Sequence, residues 1–343
     1  MRLANDHELA RWDELVEANP DGGNALQTLA WGDFKGRWGW KPRRYVAAVG
    51  GREVAIQFLA RQIPLIGEVW YAPKGPGVIS GSDLTGLVAQ MKEAKLPAIF
   101  VKIEPEVFQA KLNPNMIGLV KAQRDLQSKS TIFIDLEPSA DELLAGFNQT
   151  ARRNLRKAEA GGVSVAAVEG SQVNLDIMFE LMVATDARAH YGLRPKAYFQ
   201  DYWRSQIAAG QAQLFFATHE GDVLAGLFAS FIGKRAWYKD GGSFDLKREL
   251  RASYAIQWGV MKWLKEQGIT SYDLVGVPNP DQIGTGDERQ GLYDFKAKFN
   301  PEITEFIGCW DLPLNQSKYY LWLRAGERVA AKLANRKPEK FLY

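Results

Sequence analysis

The sequence predicts an α/β protein of two domains, and three observations support this prediction. The chain has 343 residues, more than a single hydrophobic core usually organises. Short apolar runs typical of strands alternate with amphipathic stretches typical of helices. Two segments, one in each half of the chain, also repeat the same order of strand, glycine turn and strand. A duplicated α/β unit explains all three observations.

The repeated segments are residues 45–75 and 215–241. Each opens with an aromatic-x-Ala strand, turns at glycine, continues through a strand of small residues and reaches a Trp-Tyr strand that ends at glycine. The intervals are similar but unequal, which favours one duplicated unit over a short-period solenoid. Because strand–glycine–strand patterns are common, chance resemblance is the alternative to duplication.

In the first half of the chain, apolar periodicity and turn residues define the elements. A capped helix begins at Asp6, a glycine turn at Asp21-Gly22-Gly23 separates it from the next helix, and Glu137-Pro138 ends the last strand. The predicted helices span residues 6–19, 26–38 and 84–94, and the predicted strands span 44–49, 53–62, 68–72, 98–103 and 132–136.

The pattern restarts at Ser139, and glycines again mark its breaks. Gly161-Gly162 ends an arginine-rich helix, and Gly268 ends a long one. The predicted helices span residues 139–146, 149–160, 175–190, 196–209, 251–267, 292–299 and 316–334. The predicted strands span residues 163–168, 212–218, 223–232, 235–238, 271–274 and 305–312.

Composition and charge exclude several classes of protein. Hydrophobic residues make up 46% of the chain and charged residues 24%, as in ordinary globular proteins. A net charge of only +3 argues against a general electrostatic DNA binder. The single cysteine, Cys309, lies in an apolar run, which predicts a buried thiol and a reducing compartment. Neither a signal peptide nor an apolar stretch of membrane-spanning length is found, so we expect a cytoplasmic protein.

The sequence carries no signal for a metal or a nucleotide cofactor. The three histidines are far apart in the sequence, which argues against a zinc site and a Ser–His–Asp triad. Neither Walker-type spacing nor a dinucleotide-binding glycine motif is present. The order of strands and helices is similar to the GNAT acyltransferase fold, yet the glycine-rich pyrophosphate loop for acetyl-CoA is missing. We therefore expect no cofactor, and an acyl donor other than coenzyme A.

Several stretches together resemble the FemABX family of peptidyl transferases, which build the interpeptide bridges of peptidoglycan. Tyr272–Pro278, Gly291–Phe299 and Glu305–Gly308 carry the strongest part of the resemblance. The others are Leu26–Lys35, Tyr71–Pro76, Asn154–Ala158, Gly162–Val163 and Trp237–Ser243. Each is weak alone, but in this order over about residues 26–312 they are specific.

The resemblance implies two tandem GNAT-like domains facing a cleft, without the coiled-coil arm of larger relatives. The first domain would comprise residues 1–136 with the C-terminal segment 313–343, and the second residues 137–312. The implied reaction transfers alanine, glycine or serine from aminoacyl-tRNA to an amine of a peptidoglycan pentapeptide precursor. That precursor is either UDP-linked or lipid-linked. We further expect a monomer with at most peripheral membrane contact and no DNA partner.

Two residues correspond to the family's catalytic pair. Phe295 and Lys296 match a Phe-Lys motif that handles the aminoacyl-RNA end. Attack of an amine on an ester builds an oxyanion, and a fixed ammonium stabilises it. Phe295 offers a ring on which a base can stack. A general base is not evident: Glu104, Asp273 and Asp294 are the nearest acids in the motifs, and proton transfer by the substrate itself is equally plausible.

Other family positions are assigned to substrate binding. Lys35 and Arg194 correspond to phosphate contacts, and Tyr198 and Tyr238 to precursor contacts. A water-exposed lysine at a helix end is the alternative for Lys35. Pro195 is expected at the first position of its helix, which would place Arg194 at the helix N-terminus.

A basic helix face forms a candidate RNA contact. Arg152 and Arg156 are one helical turn apart, as are Arg153 and Lys157, and we expect this face to touch the tRNA acceptor stem. Solvation of an ordinary helix face is the alternative. Rival functions are a Fem-like enzyme of antibiotic biosynthesis or self-resistance, a non-catalytic precursor- or RNA-binding module, and an acetyl-CoA-dependent N-acetyltransferase.

Overall fold

A computed structural model of the chain describes residues 1–63, 66–109, 117–189 and 192–326. The chain divides into two compact units. The first comprises Met1–Lys129 with Glu305–Tyr343, and the second comprises Ser130–Thr304. Each unit contains a mixed sheet with helices packed on it, so the predicted α/β class is confirmed.

The first unit is built on a seven-stranded sheet. Its strands are β1 (Arg2–Leu3), β2 (Lys41–Val49), β3 (Arg52–Ile63), β4 (Gly67–Ala72), β5 (Phe100–Ile103), β6 (Val120–Lys121) and β15 (Trp310–Pro313), in the spatial order β1-β2-β3-β4-β5-β15-β6. Its helices are α1 (Asp6–Ala10), α2 (Trp12–Glu17), α3 (Leu29–Arg37), α4 (Gly81–Glu93) and α11 (Gln316–Leu321). Only β4 and β5 pair in parallel among these described strands.

The helices of this unit cover the sheet with apolar faces. Leu84, Leu87 and Met91 of α4 are fully buried in the core with Ile56 and Phe58 of β3. Removing the apolar surface of each such side chain from water stabilises the fold by about 1.5–3 kcal/mol. The predicted helix over 6–19 is two helices instead, because Arg11 leaves the helical conformation between them.

The second unit is built on a six-stranded sheet. Its strands are β8 (Phe133–Asp135), β9 (Ser164–Val168), β10 (Ala212–His219), β11 (Asp222–Ile232), β12 (Arg235–Ser243) and β13 (Ser271–Asp273), in the order β8-β13-β12-β11-β10-β9. Its helices are α5 (Ala140–Gly146), α6 (Gln149–Ala160), α7 (Gln172–Ala189), α8 (Lys196–Ala208), α9 (Ala252–Glu266) and α10 (Gln290–Lys296). Two short strands, β7 (Ser130–Thr131) and β14 (Thr304–Glu305), pair with each other in a separate two-stranded sheet.

The two sheets share one plan, in agreement with the predicted duplication. In the first unit, β2, β3 and β4 form an antiparallel meander, α4 follows, and β5 returns parallel to β4. In the second unit, β10, β11 and β12 form the meander, α9 follows, and β13 returns parallel to β12. An antiparallel strand then covers the free edge of the returning strand in each unit.

These covering strands correct the predicted domain boundaries. Residues 132–136 were assigned to the first domain, but β8 pairs with β13 of the second unit. Residues up to 312 were assigned to the second domain, but β15 pairs with β5 of the first unit. The unit boundaries therefore follow residues 129 and 304. Local sequence indicates a strand but not its partner, so these two pairings could not be predicted from the pattern.

The C-terminal part differs in detail from the prediction. The strand expected over 305–312 is interrupted, because Gly308 adopts a positive φ of 72° and Cys309 donates its backbone N–H to Asp125. Helix α11 continues as a π-helical turn over Trp322–Gly326. The rest of the helix expected over 316–334 falls outside the described residues. Within the described residues, no helix is long and apolar enough to cross a membrane.

Candidate active site

The candidate site of the second unit begins with an irregularity in β12. The register between β11 and β12 shifts at Lys239, so Tyr238 pairs with Ala229 while Asp240 pairs with Phe228. A bulge of this kind re-aims neighbouring side chains. The Tyr238 hydroxyl reaches over Gly241, where an added Cβ would lie 2.1 Å from it. Glycine at position 241 is therefore required for this orientation of Tyr238.

Lys296 lies beside this tyrosine and is buried. Its side chain sits at the end of α10, only 5% of the residue is exposed, and Nζ is 5.6 Å from the centre of the Tyr238 ring. Nζ donates hydrogen bonds to the carbonyl oxygens of Val275 and Gly276, the second at 2.9 Å. A Phe-Lys motif on a helix end thus delivers an ammonium to a turn that follows β13.

That turn has an unusual backbone. Val275 and Gly276 both adopt positive φ, 51° and 60°. For a β-branched residue such as valine this conformation is rare and costs roughly 1–3 kcal/mol. Asp273 stabilises the turn, since its Oδ1 accepts from the Val275 N–H at 2.7 Å and from the Thr131 hydroxyl. Two consecutive carbonyls are thereby turned toward Lys296.

The roles of Asp273 and Thr131 were not predicted from the sequence. Asp273 was considered only as a base, whereas the structure gives it a hydrogen-bonding role within the turn. The Val-Gly pair inside the Tyr-Asp-Leu-Val-Gly-Val-Pro stretch was a visible signal for a special turn. Thr131 precedes β8 and carries no signal of its own, because its contact depends on the pairing of β8 with β13.

Burial changes the proton affinity of this lysine. Desolvation lowers the pKa of Lys296 to about 8, and the nearby Asp273 carboxylate opposes that shift. The residue is therefore an ammonium at neutral pH, but a weaker base than an exposed lysine. An ammonium has three protons, and two are directed at carbonyl oxygens. The third remains for a further acceptor.

Phe295 lies within an aromatic cluster. Its ring is 5.1 Å from that of Tyr254 and 5.4 Å from that of Phe299, both edge-on. The residue is half-buried. The packing fixes α10 against the core, and the proposed stacking of Phe295 on a base stays a prediction.

Arg194 and Tyr198 form a second pair in this unit. The Arg194 guanidinium lies 4.7 Å from the Tyr198 ring centre, in cation–π geometry. Burial raises the pKa of the Tyr198 hydroxyl, so it remains protonated. Pro195 is the N-cap of α8 and not its first helical residue, so Arg194 lies one position further from the helix than expected. The Pro195 ψ of 145° is extended and not helical, so the helix begins at Lys196.

Lys35 lies in the first unit and is also buried, with 4% exposed. Its Nζ is 5.7 Å from the ring of Trp31 and 5.6 Å from that of Trp40. The alternative of a water-exposed lysine at a helix end is therefore wrong. The phosphate-binding role of Lys35 stays a prediction.

The four basic residues of α6 separate into two pairs. Arg152 and Arg156 line a groove of about 460 Å³ in the second unit, whereas Arg153 and Lys157 do not line it. The prediction treated the four as one face. The helical period of 3.6 residues places the two pairs about 100° apart around the helix.

The remaining candidate acids do not converge on Lys296. Asp294 is exposed and accepts a hydrogen bond from Gln290. Glu104 belongs to the first unit, where it accepts from the Tyr71 hydroxyl and from two backbone N–H groups. Cys309 is buried as expected, and burial raises the pKa of its thiol. No cluster of three or more metal-ligating side chains occurs in the described part of the chain.

Comparison with known sequences gives a consistent set of relatives. The FemAB family model matches residues 117–218 and 204–325. The lipid II:glycine glycyltransferases of Staphylococcus epidermidis and Staphylococcus aureus are each 24% identical to this chain, and the match covers 90% of this chain and 92% of each relative. The S. epidermidis alignment extends over 389 residues, so that relative carries segments that this chain lacks.

Solved structures support the same assignment at the level of the fold. FemX superposes with a TM-score of 0.82 at 23% identity, over 94% of this chain and 99% of FemX. L-PGS from Bacillus licheniformis is more distant, with a TM-score of 0.52 at 15% identity over 92% of this chain and 93% of that one. The matched family segments together cover more than half of the chain. The chain belongs to the FemAB family.

Proposed function

We propose that this chain is an aminoacyltransferase that moves an amino acid from aminoacyl-tRNA to an amine of a peptidoglycan pentapeptide precursor. Family membership and the glycyltransferase relatives support the reaction class. Within the described residues, the observation that carries the proposal is the buried Lys296 ammonium, fixed by two carbonyls and holding one proton for a further acceptor.

The reaction needs a positioned cation more than a nucleophilic side chain. The acceptor amine attacks the ester carbonyl carbon, a C–N bond forms, and the carbonyl oxygen becomes an oxyanion. The C–O bond to the ribose then breaks, the amide remains, and the proton lost by the amine goes to the departing ribose hydroxyl. The ester is already activated, so an acyl-enzyme is not required. Stabilisation of the oxyanion is the step that a side chain can accelerate.

Lys296 is suited to this step by its fixed geometry. An ammonium held by two carbonyl acceptors does not need to reorganise when charge develops nearby. Burial strengthens its interaction with an oxyanion, because the surrounding dielectric constant is low. The strained turn at Val275 stabilises one orientation of the lysine, and Asp273 acts on catalysis through that turn.

The acceptor is a peptidoglycan precursor, recognised in our proposal by cations and tyrosines. Arg194 contacts a precursor phosphate, and Tyr198 and Tyr238 contact the remainder of the molecule. Lys35, in the first unit, is a separate phosphate contact in this proposal. The staphylococcal relatives are named for lipid II and glycine, which favours a lipid-linked acceptor and a glycyl donor as the first pair to test.

The direct experiment mixes the purified protein with lipid-linked and UDP-linked pentapeptides and a pool of charged tRNAs, with products read by mass spectrometry. Lys296→Met should reduce the transfer rate by about 10²–10³-fold, since one oxyanion donor is removed. Precursor binding should remain within a few-fold of wild type, because the lost contact forms only in the transition state.

Lys298→Met is the matched control. Lys298 lies two residues beyond Lys296 and is half-buried, and its backbone carbonyl accepts from Asn148 whatever the side chain is. The control should transfer at the wild-type rate. Near-wild-type transfer by Lys296→Met, or an equal loss in both variants, would remove the catalytic role of Lys296.

A further inference from the structure

The groove on the second unit is distinct from the Lys296 site. Its volume is about 460 Å³, within the ~300–1,000 Å³ typical of ligand sites, and Lys296 is not among its lining residues. Helix α6 contributes Arg152 and Arg156, β9 contributes Val165, and α9 contributes Trp258 and Lys262. The groove thus combines an aromatic and apolar lining with cations.

The two arginines are arranged at a cost to the free protein. They lie one turn apart on α6, and like charges at this spacing destabilise a helix. Within the described residues, neither guanidinium lies within the 4.0 Å ion-pair distance of a carboxylate, although Glu159 and Glu266 also line the groove. Arg152 is oriented by a 2.9 Å hydrogen bond from Nη1 to the Ala145 carbonyl. An anion placed between them would relieve the repulsion.

Trp258 supplies the aromatic part of the groove. Phe147 packs perpendicular to its indole at 5.6 Å, and the Lys262 ammonium lies 5.9 Å from the indole centre. Phe147 in turn packs on Phe299, and Phe299 on Phe295. The indole is therefore held by the same aromatic cluster that fixes the helix carrying Lys296. A rigid, half-buried ring of this kind is a platform for stacking.

We propose that the groove binds one nucleotide of the donor RNA, inward of its reacting 3′ end. A phosphate fits the Arg152–Arg156 pair, and a base or ribose fits the Trp258 indole and the apolar wall. A nucleotide offers a phosphate and a flat ring at once, whereas a free phosphate leaves the indole unused and an acyl chain has no ring to stack on it. The inference rests on the proposed function, in which RNA carries the amino acid.

The test compares two charge reversals on the same helix. Binding of deacylated tRNA is measured by fluorescence anisotropy for the R152E/R156E and R153E/K157E variants of the full chain. Both change the charge equally, but only the first pair lines the groove. R152E/R156E should weaken binding by about 10-fold or more, because two phosphate contacts become repulsive. R153E/K157E should stay within about three-fold, because neither side chain lines the groove.

A further variant and a kinetic readout complete the test. Trp258→Leu keeps an apolar side chain against Phe147 and should weaken tRNA binding by roughly 5- to 100-fold, through lost stacking. In the transfer assay, R152E/R156E should raise the KM for aminoacyl-tRNA and leave kcat unchanged. Circular dichroism of each variant checks the fold.

Three outcomes would overturn the groove assignment. These are equal weakening by both charge-reversed pairs, wild-type tRNA affinity in R152E/R156E, and selective loss of binding to phosphatidylglycerol vesicles with tRNA binding intact. If R152E/R156E selectively loses tRNA but no charged tRNA supports transfer, the groove stands and the proposed reaction fails. If transfer proceeds with wild-type KM in R152E/R156E, the reaction stands and the groove assignment fails.

Discussion

The two units place a Trp-Tyr pair at the same point of the same sheet plan, yet they fill the space beyond the tyrosine differently. In the first unit, the Tyr71 hydroxyl donates to Glu104 and accepts from the Gln127 amide at 3.2 Å. Burial raises the pKa of both Tyr71 and Glu104. In the second unit, Tyr238 is half-buried and faces the Lys296 ammonium.

The strand registers explain how the sequence produces this difference. Trp70 pairs with Val101, and Trp237 pairs with Asp273. Three residues after each of these partners, beyond the ends of β5 and β13, lie Glu104 and Gly276. A carboxylate therefore occupies the position in the first unit where the second unit has a bare backbone. Glycine at this position adopts a positive φ of 60°, and its carbonyl oxygen accepts a hydrogen bond from Lys296.

Two buried lysines, Lys102 in the first unit and Lys296 in the second, also differ in their partners. Lys102 of β5 is neutralised by Asp311 at 2.7 Å, and the Tyr319 hydroxyl also donates to that carboxylate. Among the residues that the structure describes, the Lys296 ammonium donates hydrogen bonds only to backbone carbonyl oxygens. The first arrangement is a closed structural ion pair. The second leaves positive charge for another molecule, which is expected of a catalytic group and not of a stabilising one.

The largest stability effect should therefore come from the first unit. Lys102→Met should lower the free energy of unfolding by about 3–5 kcal/mol, because Asp311 is left charged and buried. Urea unfolding followed by tryptophan fluorescence measures this. Adding Asp311→Leu should recover more than half of the loss, since the uncompensated charge is removed. A loss below about 1 kcal/mol for Lys102→Met would mean that the pair contributes as little as a surface ion pair. It would contradict the structural role given to Lys102.

A smaller effect should come from the pH dependence of stability. The pKa of Lys296 falls from 10.5 to about 8 on folding, so between these values the unfolded chain binds more protons than the folded one. Wild-type stability should therefore rise with pH in this window, relative to Lys296→Met, by up to about 3 kcal/mol. Urea unfolding of both proteins from pH 7 to 10.5 gives the difference. Parallel pH profiles would mean that Lys296 is not desolvated.

Much of this arrangement was predictable from local sequence. The α/β class, the duplicated hairpins and helix 149–160 required only periodicity and glycine turns, which act over a few residues. The resemblance also singled out Lys296 together with Tyr238, and the structure brings these two side chains together.

The long-range pairing of strands could not be predicted from the sequence. The pairing of β8 with β13 and of β15 with β5 depends on which strand edge is free, not on strand propensity. The support of Val275 by Asp273 and Thr131 follows from the first pairing, because β8 brings Thr131 to β13. The sequence also could not separate Arg152 and Arg156 from the other two α6 cations, because the groove that they line is formed by packing against α9 and β9.

The central claim is that Lys296 stabilises the oxyanion of acyl transfer. A phosphonate analogue that joins the acceptor amine to the aminoacyl centre mimics that tetrahedral anion, and its Kd can be measured by calorimetry for wild type and Lys296→Met. The affinity should fall by about 10²–10³-fold in the variant, in proportion to the loss in kcat, with ground-state precursor affinity unchanged. Equal affinity of both proteins for the phosphonate would contradict the account.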